Sequence, residues 1–109
     1  MDFNKYQEEA YKFAIYPKKG SNYEYPLKGL FSEVGEIADK FKKIERDRNY
    51  IITDADVSEI TKELGDALWY ISQIAWELDV SLDVVAQVNL HKLKNRKENN
   101  TIKGSGDNR

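Results

Sequence analysis

Residues 30–38 read Leu-Phe-Ser-Glu-Val-Gly-Glu-Ile-Ala, and residues 60–68 read Ile-Thr-Lys-Glu-Leu-Gly-Asp-Ala-Leu. In and around both segments, apolar residues recur at alternating intervals of three and four, which places them on one face of a helix. The two apolar faces consist of Leu27, Leu30, Val34, Ile37, Phe41 and Ile44, and of Val57, Ile60, Leu64, Ala67, Ile71, Ile74 and Leu78. The segments therefore predict two long amphipathic helices.

Two shorter helices are predicted on either side of this pair. The first covers about residues 2–15 and ends at a cluster of helix breakers in residues 16–20. The last helix runs to about Lys97, and Ser81 is its predicted N-terminal cap. Thr53 is the predicted cap of the second long helix. The apolar side of the first helix holds Phe3, Tyr6, Ala10, Phe13 and Ala14. Strand patterns are absent from the sequence, so we predict an all-α, four-helix bundle-like fold.

The composition bounds the class of protein. The chain has 109 residues, 40% hydrophobic and 33% charged, which suits a single globular domain. The absence of cysteine excludes disulfides, thiolate metal sites and a cysteine nucleophile. No apolar run approaches the roughly 20 residues that span a bilayer, and the first residues lack the layout of a signal peptide. We therefore expect a soluble, cytoplasmic protein.

The charge is unevenly distributed along the chain. The net charge is −2, yet residues 92–109 carry six basic and two acidic residues, so the remainder is acidic. We expect one helical domain at residues 1–98 and a flexible basic tail at residues 99–109. An acidic domain disfavours a nucleic acid polymer as partner but suits a small phosphorylated ligand that binds through metal ions. Seven tyrosines, four phenylalanines and two tryptophans exceed what one small bundle encloses, so a homo-oligomer is expected.

The two segments quoted above resemble each other, and they place two carboxylates at equivalent positions of each long helix. Glu33 matches Glu63, and Glu36 matches Asp66. If the helices pack antiparallel, the four carboxylates converge at the edge of the apolar faces. A solvated face, with Glu36 paired to Lys40, is the structural alternative. Like charges repeated near an apolar face repel each other, which favours a metal-binding role over a structural one. Oxygen ligands without nitrogen or sulfur select Mg²⁺ or Mn²⁺.

Several residues around these acids have two interpretations. Gly35 and Gly65 allow close helix approach and also space for a metal-bound phosphate, and these two interpretations are compatible. In the last helix the apolar stripe that begins with Leu82 and Val85 continues as polar residues. These residues either lie in solvent or supply an amide and two cations that bind a polyphosphate. Those polar residues are Asn89, Lys92 and Arg96. 

Three aromatic or imidazole side chains are candidate ligand groups. Tyr70 lies one turn beyond Asp66 on the same face, so we rank it above Trp69 for stacking on a base. The alternative for Trp69 is a structural role in the core. His91 belongs to neither acidic pair, which argues against a di-iron site, and we expect it at the surface or at a hinge.

The pattern Glu33-x-x-Glu36 followed by Glu63-x-x-Asp66 resembles the signature of the all-α nucleoside triphosphate pyrophosphohydrolases, and specifically the single-domain MazG-like proteins. The resemblance runs nearly end to end, although Asn99-Asn100 stands where relatives often carry Arg-Gly. Its further elements are Tyr6-Gln7, Gly29-Leu30, Lys42-Lys43, Arg46-Asp47, Trp69-Tyr70, Asn89, Lys92-Leu93, Arg96 and residues 104–109.

The resemblance implies Mg²⁺-dependent hydrolysis of a nucleoside triphosphate to the monophosphate and pyrophosphate, through attack of a metal-activated water on the α-phosphorus. It implies that Glu33, Glu36, Glu63 and Asp66 hold the metal, and that Glu33 or Glu36 orients or deprotonates the water. Dimers or tetramers with the active site near a subunit interface are also implied. A non-catalytic oligomerisation module or a nucleotide-binding regulator is the alternative function.

Overall fold

The computed structural model describes residues 1–108; Arg109, the last residue of the predicted tail, lies outside the described residues. Four helices follow one another: α1 (Phe3–Tyr11), α2 (Glu24–Arg48), α3 (Asp54–Glu77) and α4 (Leu82–Glu98). Residues 1–108 contain no strand, so the predicted all-α class is confirmed. None of the four helices is long and apolar enough to cross a membrane.

The helix ends are fixed by side-chain caps. Thr53 and Asp56 form a capping box at the start of α3: the Thr53 hydroxyl accepts from the Asp56 N–H at 3.2 Å, and the Asp56 carboxylate accepts from the Thr53 N–H at 2.8 Å. Ser81 accepts from the Val84 N–H at 3.2 Å and caps α4. Both predicted caps are therefore confirmed.

The predicted end of the first helix was wrong by several residues, and the second helix extends beyond its predicted apolar face. α1 ends at Tyr11 rather than near Ile15, because the chain tightens into bonds between residues three apart, such as Ala14 N–H to Tyr11 C=O at 3.0 Å. α2 begins at Glu24, before the first residue of its apolar face. The side chain of Asn22 caps this earlier start, since it accepts from the Tyr25 N–H at 3.1 Å.

α2 and α3 form an antiparallel hairpin, as the sequence predicted. At the connecting loop, Arg48 pairs with Asp56 at 2.6 Å, and α2 ends at Asn49 in the left-handed conformation (φ 50°). At the opposite end of the hairpin the ring of Tyr70 lies flat against Gly29, where a Cβ atom would come within 2.2 Å of it. Only glycine leaves room for this ring, so it fixes how α3 sits on α2.

α1 and α4 pack on the C-terminal half of α3, and α4 does not pack on α2. Gln7, buried on α1, joins all three helices. Its amide nitrogen donates to the carbonyls of Ser72 (3.3 Å) and Val80 (3.0 Å), and its oxygen accepts from the Leu82 N–H at 2.9 Å. Gln7 thereby satisfies the first N–H of α4, a group that the helix itself leaves unpaired.

The two tryptophans of α3 have structural contacts with α1. Trp69 donates its ring N–H to the Ala10 carbonyl at 3.0 Å, and Trp76 stacks on Tyr11 with ring centroids 4.0 Å apart. The segment between α1 and α2 is tied to the end of α3 by the carboxylate of Glu77. This group accepts from the Gly20 N–H at 2.9 Å, from the Asn22 N–H at 3.2 Å and from the Tyr16 hydroxyl.

Much of the predicted apolar faces is not covered within one chain. Ile44, Ile60 and Ala67 are buried, whereas Val34 and Leu64 are each more than half exposed. The accessible surface is 8126 Å², against about 6,200 Å² for a compact monomer of this mass. The radius of gyration is 16.8 Å, against about 13 Å for a compact domain of this length. The chain is therefore an open arrangement of helices.

Gln7→Ala should lower the free energy of unfolding by about 3 kcal/mol, because it leaves the buried Leu82 N–H without its partner and removes the donor to the carbonyls of Ser72 and Val80. Asn4→Ala is the matched control, since Asn4 also accepts from an N–H of α4, that of Asp83 at 3.1 Å, but at an exposed position. Water can replace Asn4, so its loss should cost less than about 1 kcal/mol. Urea denaturation at one protein concentration measures both values, and equal losses would contradict the role given to Gln7.

Candidate metal centre

Three of the four predicted acidic residues meet between α2 and α3. Glu33 and Glu36, one turn apart on α2, face Glu63 on α3, and one carboxylate oxygen from each lies within 4.8 Å of the others. We call these three residues the acidic cluster. The antiparallel hairpin produces this meeting, because it brings the middle of α3 opposite the middle of α2.

Asp66, the fourth predicted acid, lies one turn beyond Glu63 but outside the group within 4.8 Å, and it is exposed. Its charge still reaches the cluster, since it contributes to the raised pKa of Glu33. The predicted ligation by Asp66 stays a prediction.

The pKa values of the acidic cluster reflect crowding of like charges. Burial raises the pKa of Glu33 to about 7, with further contributions from a hydrogen bond to Glu63 and from the charges of Glu36 and Asp66. The pKa of Glu63 is held below its usual value by hydrogen bonds from Glu33 and Glu36, and by Lys40. Without metal, Glu33 therefore keeps its proton to a higher pH than an ordinary glutamate does.

The donor set fits a hard divalent cation. The Oε2 atom of Glu33 is buried and has no hydrogen-bond partner, so one carboxylate oxygen in the cluster is unsatisfied. The nearest ion pair is weak, with Lys40 Nζ at 3.9 Å from Glu63 Oε1; Lys40 thus contacts Glu63 rather than Glu36, its partner in the solvated-face alternative. Convergent oxygens with one orphan atom are the chemistry that Mg²⁺ or Mn²⁺ satisfies.

Tyr70 borders the acidic cluster at the open end of the hairpin. Its ring contacts the backbone at Gly29 and meets Trp69 edge to face at 5.2 Å. Burial raises the pKa of the Tyr70 phenol, and nearby Tyr25 and Glu33 add to the shift. The predicted stacking of Tyr70 on a base stays a prediction, while the ring N–H of Trp69 is engaged with α1.

The polar residues of α4 are not brought to the acidic cluster within one chain. Lys92 and Arg96 instead bind Asp107 of the tail, with nitrogen–oxygen distances of 2.9 and 3.4 Å to its Oδ1. Arg96 is buried in this arrangement, and Asn89 is exposed. Their predicted contacts with a polyphosphate therefore require a second subunit or a rearrangement, and they stay predictions.

Other predicted residues have plain positions. His91 is exposed on α4, as expected, and contacts Asn95 at 3.2 Å. A Cβ atom at Gly35 or Gly65 would meet nothing within 4 Å, so the close helix approach proposed for these glycines does not occur within the chain. Open space beside the backbone is what the alternative interpretation, room for a phosphate, requires.

Two lysines next to the acidic cluster had no site role predicted from the sequence. Lys40 and Lys43 line a cavity of about 390 Å³ together with Glu36, Asp39 and Glu63. Their spacing could have identified them, because Glu33, Glu36, Lys40 and Lys43 recur at intervals of three, four and three. Lys40 was predicted only as an ion-pair partner, and Lys43 only as an element of the family resemblance.

The structure is thus an all-α protein in which a helical hairpin brings acidic residues face to face. The family described as MazG nucleotide pyrophosphohydrolase domain matches residues 22–101, and the chain belongs to this family. The chain is also 46% identical over 114 residues, across the full length of both proteins, to the Gene 37 protein of Mycobacterium phage L5. No solved structure matches the chain significantly.

Glu33 should make the stability of the metal-free protein depend on pH. Its pKa of about 7 in the folded chain exceeds the ordinary 4.5, so the folded state keeps a proton that the unfolded state has released. This contribution is complete below about pH 4.5 and is lost as the pH rises through about 7. In EDTA, the melting temperature of the wild type should fall more between pH 5 and pH 8 than that of Glu33→Gln.

Glu59→Gln is the control for this experiment, since Glu59 is an exposed carboxylate of α3 paired only with Lys62 at 3.2 Å. It should keep the wild-type pH profile. Mg²⁺ should also raise the melting temperature of the wild type at pH 8 more than that of Glu33→Gln, because binding removes the repulsion. Parallel profiles for Glu33→Gln and wild type would contradict the electrostatic assignment.

Proposed function

We propose that this protein is a magnesium-dependent nucleoside triphosphate pyrophosphohydrolase, which converts a (d)NTP to the (d)NMP and pyrophosphate. The observation that carries the proposal is the acidic cluster, with its unsatisfied Glu33 oxygen, in a chain of the MazG family. The cytoplasm, where nucleotide pools lie, is the proposed place of action.

In this proposal Glu33, Glu36, Glu63 and Asp66 hold Mg²⁺, for which Mn²⁺ can substitute. When bound, the metal polarises the phosphate oxygens and makes a water molecule more acidic. The acidic residues of α2 and α3 fix its position because both helices are rigid through the hairpin. Asp66 completes the set by a side-chain rotation, which explains its place at the border of the cluster.

Glu33 or Glu36 receives the proton of the attacking water. Both lie on the side of α2 that meets Glu63, so either can offer a carboxylate oxygen that the metal does not use. Water attacks the α-phosphorus, and the bond to the β-phosphate oxygen breaks. Tyr70 is the proposed stacking partner of the base.

Self-association is part of the proposed function. The surface in excess of a compact monomer is about 1,900 Å² per chain, and two chains covering it would bury an area typical of obligate dimers. A second copy would also offer the only route by which Asn89, Lys92 and Arg96 approach an acidic cluster without rearrangement of α4, since α4 and α2 do not pack together among the described residues. We therefore propose a dimer or a tetramer.

The reaction is tested with a panel of canonical and oxidised nucleotides. Mg²⁺ should support pyrophosphate release and EDTA should abolish it, and label from ¹⁸O water should appear in the monophosphate. Glu36→Gln should lower kcat by on the order of 100-fold or more, because a charged ligand of the metal is lost, whereas Glu59→Gln should keep wild-type kinetics. Label in released orthophosphate, or undiminished turnover in EDTA, would refute the proposal.

The alternative function is a helical oligomerisation module without catalysis, and the exposed apolar surface favours it. This module would need no metal, and Glu63→Gln would leave it intact. An associated wild-type protein that hydrolyses none of the nucleotides would support this alternative over the enzyme.

Light scattering after size-exclusion chromatography should give a native mass that is a multiple of 12.7 kDa at micromolar concentration. The melting temperature should rise with protein concentration, because association stabilises the folded chain by mass action. A stable 12.7 kDa species with a concentration-independent melting temperature would contradict self-association.

A further inference from the structure

The cavity beside the acidic cluster is lined by both acidic and basic side chains. Its volume of about 390 Å³ is bordered by the carboxylates of Glu36, Asp39 and Glu63 and by the ammonium groups of Lys40 and Lys43. Gly35 also lines it and leaves open space, since a Cβ atom there would meet nothing within 4 Å. A ligand in this cavity would contact carboxylates and ammonium groups at the same time.

Different kinds of side chain follow one another along the groove between α2 and α3. At a rise of 1.5 Å per residue, Lys40 and Lys43 lie about 6 and 10 Å beyond Glu36 toward the connecting loop. Gly29, with the ring of Tyr70 on it, lies about 10 Å from Glu36 in the other direction. The hairpin therefore presents an aromatic ring, then carboxylates, then two cations in a single direction.

These lysines are available to a phosphate. Lys40 is held only by the 3.9 Å contact to Glu63, and Lys43 pairs with Asp39 at 2.8 Å where both side chains are well exposed. Exposed pairs of this kind contribute little free energy, so a multiply charged anion can replace them. Lys92 and Arg96 are less available to a phosphate, because both already form ion pairs with Asp107 within the chain.

We propose that Lys40 and Lys43 form the subsite for the β- and γ-phosphates, so that pyrophosphate leaves toward the connecting loop. This inference rests on the proposed function. As water oxygen bonds to the α-phosphorus, the bond from the α-phosphorus to the bridging oxygen breaks and its electron pair leaves with pyrophosphate. The two ammonium groups neutralise that charge, and the proton of the water passes to the carboxylate of the acidic cluster.

The test compares three single variants of α2: Lys40→Gln, Lys43→Gln and Lys42→Gln. Lys42 is the matched control, because it also pairs with Asp39, at 3.0 Å, but does not line the cavity. Calorimetric titration with pyrophosphate in the presence of Mg²⁺ should show about tenfold weaker binding for Lys40→Gln and Lys43→Gln, and wild-type binding for Lys42→Gln. Lys43→Arg should retain most of the affinity.

The same variants are then assayed for nucleotide hydrolysis, which separates this inference from the proposed function. Lys40→Gln and Lys43→Gln should lower kcat/KM about tenfold and weaken product inhibition by pyrophosphate, whereas Lys42→Gln should do neither. If the wild type hydrolyses nucleotides but the three variants behave alike, the subsite is refuted alone. If the wild type neither hydrolyses nucleotides nor binds pyrophosphate, both are refuted. A wild type without turnover whose pyrophosphate binding depends on Lys40 and Lys43 refutes only the proposed function.

Discussion

The register between α2 and α3 is the constraint on which the candidate site depends. It is fixed at one end by the ion pair of Arg48 with Asp56 and at the other by the Tyr70 ring on Gly29. Moving either helix by one residue would rotate its side chains by about 100°, and Glu63 would no longer face Glu33. The two fixed ends thus hold the carboxylates of the acidic cluster together against their own repulsion.

That repulsion is compensated in other parts of the molecule. The capping box of Thr53 with Asp56 stabilises the start of α3, and the three hydrogen bonds of Gln7 join α1, α3 and α4. The repulsion among the carboxylates opposes folding as long as no ligand is bound. Functional sites often carry such a cost, and well-satisfied contacts in the rest of the structure compensate for it. In this chain the bound ion would convert the largest local electrostatic cost into an attractive contact.

The sequence predicted what depends on periodicity and on short-range capping. The helix number and the caps Thr53 and Ser81 follow from spacing and residue type, and the meeting of Glu33, Glu36 and Glu63 follows once antiparallel packing of the two long helices is assumed. It could not predict contacts between distant parts of the chain, such as Gln7 with Leu82 or Lys92 with Asp107, because those depend on how the helices are placed. The early end of α1 was missed for a related reason: its apolar pattern continues through Phe13, but that side chain is exposed.

α3 carries groups of the candidate site and groups of the framework on one helix. Glu63, in its first half, faces α2, and Trp69 and Glu77, in its second half, secure α1 and the segment before α2. Tyr70, next to Trp69, belongs to both sets, since its ring lies against Gly29 and borders the acidic cluster. Substitution of Glu63 can therefore alter the ligands of the candidate site while Trp69 and Glu77 keep the helices in place, whereas substitution of Tyr70 affects both.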